Sequence, residues 1–187
     1  DISPEFVSKV ENLEGIEELL PIYDLSEKVV VNDDGTVQME AIDDLNTLCS
    51  LLNVQLIDDK NNVADVFDNN RNILMSKDYM KHHEFSIGDV IQLGYRGTSF
   101  EYQIIGAFQS RGDNSEVIIP GVYAREDFGA VNYGKIAYSA ENPDAVMAQI
   151  RNLFGNQYNW SRTVEEFSKD ATKIISSFME PMKKMTY

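Results

Sequence analysis

The sequence predicts an α+β fold. Two observations carry that prediction. Apolar runs of strand length recur between turn signals built from Gly, Pro, Asn and Asp, and other segments show helical spacing with capping residues at their starts. A third observation sets the scale: 187 residues, 43% of them hydrophobic, can bury a real core as one ordinary domain or two small ones. No internal repeat or low-complexity stretch interrupts the pattern.

The first predicted helix has Ser3 as N-cap, Pro4 at its first position and Glu5 in its first turn. Phe6, Val10 and Leu13 form its apolar stripe, and Gly15 stops it. Ile16 to Tyr23 then reads as extended. Val29–Val31 and Thr36–Met39 flank Asn32, Asp33, Asp34 and Gly35, which predicts a hairpin with Asp-Gly in the turn. Ile42, Leu45, Leu48, Cys49 and Leu52 have helical spacing with Asp43 and Asp44 near the start, and Val54–Ile57 reads as a strand.

The centre of the chain is richer. Ile73–Met75 predicts a strand, and Ser76 caps a short helix over Lys77–His83. Phe85–Asp89 predicts a turn into a strand at Val90–Leu93, and Tyr95–Thr98 a second turn into a strand at Phe100–Phe108. Gly106 marks a bulge or close backbone approach in that strand. Val117–Pro120 and Lys135–Tyr138 read as further strands. Asn142 and Pro143 open a helix carrying Val146, Met147, Ile150, Leu153 and Phe154, ended by Gly155. Thr163 and Glu166 form a capping box for a last helix, with Phe167, Ile174, Phe178, Met182 and Met185 on one face. Pro181 should kink or end that helix. Its stripe at Phe167, Ile174 and Phe178 is expected to pack on the body of the domain. No cap follows before Tyr187, and the chain opens at Asp1 without a leader, so both ends are expected to be cuts in a longer chain.

Charge narrows the function classes. There are 16 Lys+Arg against 31 Asp+Glu, a formal net charge of −15. That balance disfavours nucleic acid, which needs cations to neutralise phosphates, and polybasic docking on anionic lipid. The single cysteine, Cys49, allows no internal disulfide and no multi-cysteine zinc site. No run of 18 apolar residues is present, so nothing here spans a bilayer as a helix.

Candidate chemistry reads as structural. His82 and His83 are adjacent, so on a helix they diverge by about 100° and do not share a metal as an i, i+4 pair would. Cys49 lies on an apolar helix face, where a buried thiol is expected. The doublets Asp33–Asp34, Asp43–Asp44 and Asp58–Asp59 do not match a calcium loop and suit turns and caps. Arg111, Gly112 and Asp113 spell an adhesion tripeptide that ordinary turn chemistry also explains. Asn159, Trp160 and Ser161 form a glycosylation sequon with meaning only in a eukaryotic secretory setting. There is no P-loop, no dinucleotide fingerprint and no nucleophile elbow. No catalytic, cofactor-binding or metal residue is therefore assigned, and contacts to substrate or partner are unassigned.

The layout resembles a known family. Phe6 to Ile16 followed by Leu20 and Pro21 is similar to the helix, turn and strand that open the extracellular domain of MacB/FtsX-type ABC transporter permeases. Ile73–Ser76, Phe85–Leu93 with Gly88-Asp89 in its turn, and Phe100–Phe108 with Gly106 resemble that domain's most recurrent pattern. Val117–Pro120 looks like its next strand, and Asn142–Asp144 with the following helix looks like its last crossover. Each motif alone is degenerate; their order and spacing over nearly the whole chain carry the resemblance.

The resemblance implies an α+β, two-lobed fold, as in MacB-type periplasmic domains. A porter-like α/β lobe would comprise residues 1–31 with 117–187, and an inserted β-rich lobe residues 32–116. It implies a non-catalytic extracytoplasmic domain with no cofactor, held at the cell membrane by flanking transmembrane helices of its own chain. The last helix would continue into one of them. The partners implied are a cognate ABC ATPase inside the cell and a second permease copy in a dimer, with no nucleic acid. The role implied is relay of ATP-driven change to substrate or partner outside. Two family features have no assigned counterpart: the strand before the first helix and the long partner-docking loop of Gram-negative members. The alternatives are an extracellular ligand- or peptide-binding module apart from any permease, and a small hydrolase.

Overall fold

The structure is a computed structural model that describes residues 2–26, 28–60, 62–110, 114–154, 159–164 and 172–178, with the backbone alone from residue 154 onward. In chain order the elements are α1 (Pro4–Glu11), β1 (Ile16–Asp24), β2 (Val30–Val31), β3 (Met39–Ile42), α2 (Leu45–Leu52) and β4 (Gln55–Ile57). Then follow α3 (Val63–Val66), β5 (Asn72–Ser76), α4 (Lys77–His83), β6 (Val90–Tyr95), β7 (Thr98–Gln109) and β8 (Val117–Pro120). The last are α5 (Gly121–Phe128), β9 (Lys135–Ala140), α6 (Pro143–Phe154), β10 (Asn159–Val164) and β11 (Thr172–Phe178).

Local chemistry sets most boundaries. The Ser3 Oγ accepts from the Phe6 N–H at 3.1 Å, Asp44 Oδ1 from Thr47 at 3.1 Å, and Ser76 Oγ from Tyr79 at 3.1 Å. Each satisfies a backbone donor that the first helical turn leaves without a partner. Between β6 and β7, Arg96 and Gly97 both take positive φ, the condition for a tight two-residue turn matched to strand twist. At Gly106 the β5–β7 register shifts, so that Ile73 faces Ile104 while Leu74 faces Gly106. A Cβ there would lie 3.0 Å from Leu74 Cδ2, so the bulge and the close approach occur together.

Among the described residues eleven strands form one mixed sheet in the order β10-β11-β9-β1-β3-β8-β5-β7-β6-β2, with β4 added to β7 off this path. The β3–β8 and β5–β7 pairs are parallel, and the others are antiparallel. Strands β5 and β8 are buried on both sides, which accounts for their continuous apolar runs. Side chains alternate between cores: Ile73, Met75, Val117 and Ile119 enter one, Leu74 and Ile118 the other. A third core seats α1 and α6 on β1 and β9 through Phe6, Val10, Ile136, Tyr138, Met147 and Ile150.

The joint between β1 and β3 is narrow. Strand β1 pairs with β9 from Ile16 to Ile22, but with β3 only at Tyr23↔Ala41 and Asp24↔Glu40. Helices cover this joint on both faces. Leu45, Leu48, Leu51 and Leu52 of α2 share a core with Leu20, Ile22 and Ala137 on one side and Leu74 and Ile118 on the other. On the opposite face Ala124 and Phe128 of α5 pack with Tyr23, Ala41 and Val117.

Three expectations are corrected and two helices are added. The predicted last helix is replaced in the described residues by β10 and β11, whereas residues 165–171 and 179–187 lie outside them. Thr172, Ile174, Ile175 and Phe178 are strand formers, and the free side of β9 offers five register pairs, so long-range pairing overrides helical spacing. The hairpin around Asp33–Gly35 is reduced to a single bridge, Val30↔Thr36. Strand β2 instead pairs with β6, and Met39–Ile42 lies between β1 and β8. Ile42 ends β3 and does not begin α2. Helices α3 and α5 were not anticipated; α5 carries little apolar periodicity because Gly121, Ala124 and Asp127 make up much of its buried face.

Candidate functional site

Charged and hydroxyl groups concentrate around the β1–β3 joint, and most of them are anchored by α5. The Asp127 carboxylate, 2% exposed, accepts from Arg71 Nε at 2.7 Å through Oδ2 and from Arg71 Nη2 at 2.6 Å through Oδ1. The Tyr102 hydroxyl donates to the same Oδ2 at 2.6 Å. Three short charge-assisted bonds thus hold a buried anion whose isolation would be costly. The Arg71 guanidinium also lies 5.0 Å from the Tyr123 ring centroid and 5.6 Å from that of Phe100. Burial, then the bond to Asp127, pushes the Tyr102 phenol far above its ordinary range. This cluster ties the end of α5 to the start of β5 and to β7.

Two residues earlier, Arg125 turns toward the other half. Its Nη1 donates to the Tyr23 hydroxyl at 3.1 Å and to Asp43 Oδ1 at 3.3 Å. The bond to Tyr23 is the main reason the guanidinium is held above its ordinary value. Tyr23 stacks on Tyr133 at a centroid distance of 4.4 Å. Burial, then Tyr23, drives the Tyr133 phenol well upward. A third ionic contact crosses the joint beneath: Lys135 Nζ on β9 pairs with Glu40 Oε2 on β3. The arrangement offers no nucleophile–base pair. It offers a cross-braced connection whose bonds must break or shear if the halves move.

The residues weighed from sequence fall elsewhere. His82 and His83 end α4, with ring centroids 5.0 Å apart and interplanar angle 81°. Cys49 is partly buried beside the α2 core, and its thiol is pushed up to about 11 by burial and then by Asp59. Of the doublets, Asp44 caps α2, Asp43 meets Arg125, and Asp59 Oδ1 accepts from the Val63 N–H at 3.0 Å. Residues 111–113 lie outside the described residues, and Asn159–Ser161 lie in β10. Among the described residues no group of three His, Cys, Asp or Glu side chains is placed to hold a metal. Nor is any helix among them long and apolar enough to cross a membrane. The joint cluster went unseen because its members are scattered from Tyr23 to Lys135; the only local signal is acidic and basic residues inside Tyr123–Phe128.

This architecture is that of extracytoplasmic domains of ABC transporter permeases. The chain is similar to the extracellular domain of the noncanonic ABC-type transporter YknZ from Gram-positive bacteria, with a TM-score of 0.61 and 14% identity, covering 95% of this chain and 89% of that one. It is similar to the periplasmic region of MacB from Actinobacillus actinomycetemcomitans, with a TM-score of 0.63 and 12% identity over 94% and 79% of the two chains. A domain of a protein described as a permease from Porphyromonas gingivalis has a TM-score of 0.52 and 13% identity over 96% and 86%. At such identities the likeness is one of fold, and in that respect the resemblance read from motif order holds. No family model and no curated protein matches the sequence.

Proposed function

We propose that this chain is a non-catalytic extracytoplasmic domain of an ABC transporter permease, relaying ATP-driven conformational change to a substrate or partner outside the cell. The observation that carries this reading is the whole-chain likeness to two such domains, 95% and 94% of the chain at TM-scores of 0.61 and 0.63. The braced joint supplies a physical means, since packed elements transmit displacement when rigid connections link them. Flanking transmembrane helices, an ATPase inside the cell and a permease dimer are the partners of this proposal.

The division into a porter-like lobe of residues 1–31 with 117–187 and an inserted lobe of 32–116 belongs to the same proposal. The two-pair β1–β3 ladder supports a division into two parts, while β8, assigned to the porter-like lobe, lies between β3 and β5 of the inserted one and would couple the lobes.

The test uses the parent permease with its ATPase, with Cys49→Ser and single cysteines introduced at Asp33 and Glu17. In intact cells the Asp33 cysteine should react with a membrane-impermeant maleimide. Spin labels at both positions should change separation between the ATP-bound and nucleotide-free states. Labelling that requires cell lysis would refute the placement, and an unchanged separation during ATP turnover would refute relay through the joint.

A further inference from the structure

Independent of the transport reading, the cores divide the chain at other points than the lobes of residues 1–31 with 117–187 and 32–116. Among the described residues the third core draws only on segments 2–19 and 133–150. The first core draws on Leu25 to Ala130, with Tyr23 and Tyr133 as its outsiders. Those two rings stack on each other at 4.4 Å. They mark the two places where the backbone passes between the regions, from β1 into Leu25 and from the turn after α5 into β9.

The crossings lie side by side. The Gly134 N–H donates to the Ile22 carbonyl at 2.9 Å, and a Cβ on Gly134 would stand 2.6 Å from Asp24 Cβ. On the central side of each crossing the backbone bonds inward. The Leu25 N–H donates to the Met39 carbonyl at 3.0 Å, and the Ala130 N–H closes α5 by donating to the Ala124 carbonyl at 3.0 Å. Val131, between Ala130 and the second crossing, is 69% exposed. A segment whose two ends meet and which holds its own core has the anatomy of an inserted unit.

Strand β8 and helix α5 fall inside that unit. β8 pairs with β3 on one side and β5 on the other. Asp127 of α5 is held by Arg71, next to β5, and by Tyr102 of β7. The second core, built on α2, draws from both regions, taking Leu20, Ile22 and Ala137 from the outer one. We infer that residues 25–130 form a separate cooperative unit, hung on α1, β1, β9 and α6 through this one paired crossing. The unit opens and recloses without them, and β8 and α5 go with β5 and β7, not with β9. A displacement of β1 or β9 then enters it at a single place.

The experiment is native-state amide hydrogen exchange of this chain by NMR, with one core truncated on each side. Met147→Ala should speed exchange at Ile136, Tyr138 and Ile150 at least about thirtyfold, the scale of a buried methionine lost. It should leave Ile104 and Val117 within about threefold, because separate units open separately. Ile104→Ala should do the reverse, speeding Met75 and Val117 and sparing Tyr138 and Ile150. Should Met147→Ala fail to fold, Ile150→Val should give the same pattern at about two- to tenfold. Acceleration of all these amides together in either variant would overturn the proposal, since the chain would then open as one body. Acceleration of Val117 with Ile136 in Met147→Ala, while Ile104 stays slow, would also overturn it, returning β8 to the outer region. The transport reading stands or falls separately, on the maleimide and spin-label results.

Discussion

Lys135 on β9 and Glu40 on β3 form an ion pair that reaches across the strand between them. Register places Ile22 opposite Lys135 and Asp24 opposite Glu40, so β1 runs beneath the pair. The glutamate side chain is 5% exposed and the lysine 21%, so the carboxylate suffers more if the contact is lost.

Replacing Lys135 by Met should therefore cost about 3 kcal/mol, the usual scale for stranding a buried charge. The double replacement Lys135→Met with Glu40→Leu should recover more than half of that, because no ion then remains to be solvated. Urea unfolding with an unchanged m-value checks both. A double variant no more stable than the single would show that the pair itself, and not the orphaned charge, sets the cost.

Asp127 is the more demanding site, because three donors converge on it. Asp127→Asn should destabilise by about 3 kcal/mol, since Arg71 loses its counter-ion and one amide position turns from acceptor to donor. Tyr102→Phe should cost about 1.5–3 kcal/mol, the worth of a hydrogen bond to a charged group. In a double-mutant cycle the two should couple by at least about 1 kcal/mol.

Two glycines separate by what a Cβ would strike. At Gly134 it would lie 2.6 Å from Asp24 Cβ and 3.4 Å from the Asp24 backbone nitrogen, so backbone has to move. At Gly121 the obstacle is Asp43 Oδ1 at 2.2 Å, the end of a half-exposed side chain that can turn away. Gly134→Ala should thus cost about 1–3 kcal/mol by overpacking. Gly121→Ala should cost less in thermal unfolding, at the expense of the exposed Arg125–Asp43 contact.

The Cys49 thiol, raised from 9.0 to about 11, holds its proton more tightly folded than unfolded. Its contribution to stability is complete below pH 9.0 and is lost as pH rises through about 11. At pH 8 a two-unit rise lowers the thiolate fraction roughly 100-fold, so alkylation by iodoacetamide should be slower than in urea-unfolded chain by about that factor. Equal rates would mean the site opens readily or is not desolvated.

Much of the fold was readable where local chemistry and burial agree. Ser3, Ser76 and Asn142 announce helices, and Gly106 announces a bulge, because each solves a backbone problem within a few residues. The stretch Thr172–Phe178 misled because its apolar spacing suits a helix as well as a strand, and only the distant edge of β9 decides between them. Helix α5 escaped notice because polar and small groups fill its inner face. Those groups make the joint, so its chemistry was hidden for the same reason its helix was.

A ladder only two register pairs wide would crease like a hinge if it stood alone. With α2 laminated to one face and α5 to the other, it behaves as a sandwich panel. Bending it must compress one close-packed layer and pull the other open, and protein interiors resist both. Torsion about the length of β1 asks only that side chains slide past one another. The compliant coordinate of this joint is therefore twist about β1 and not bending across it.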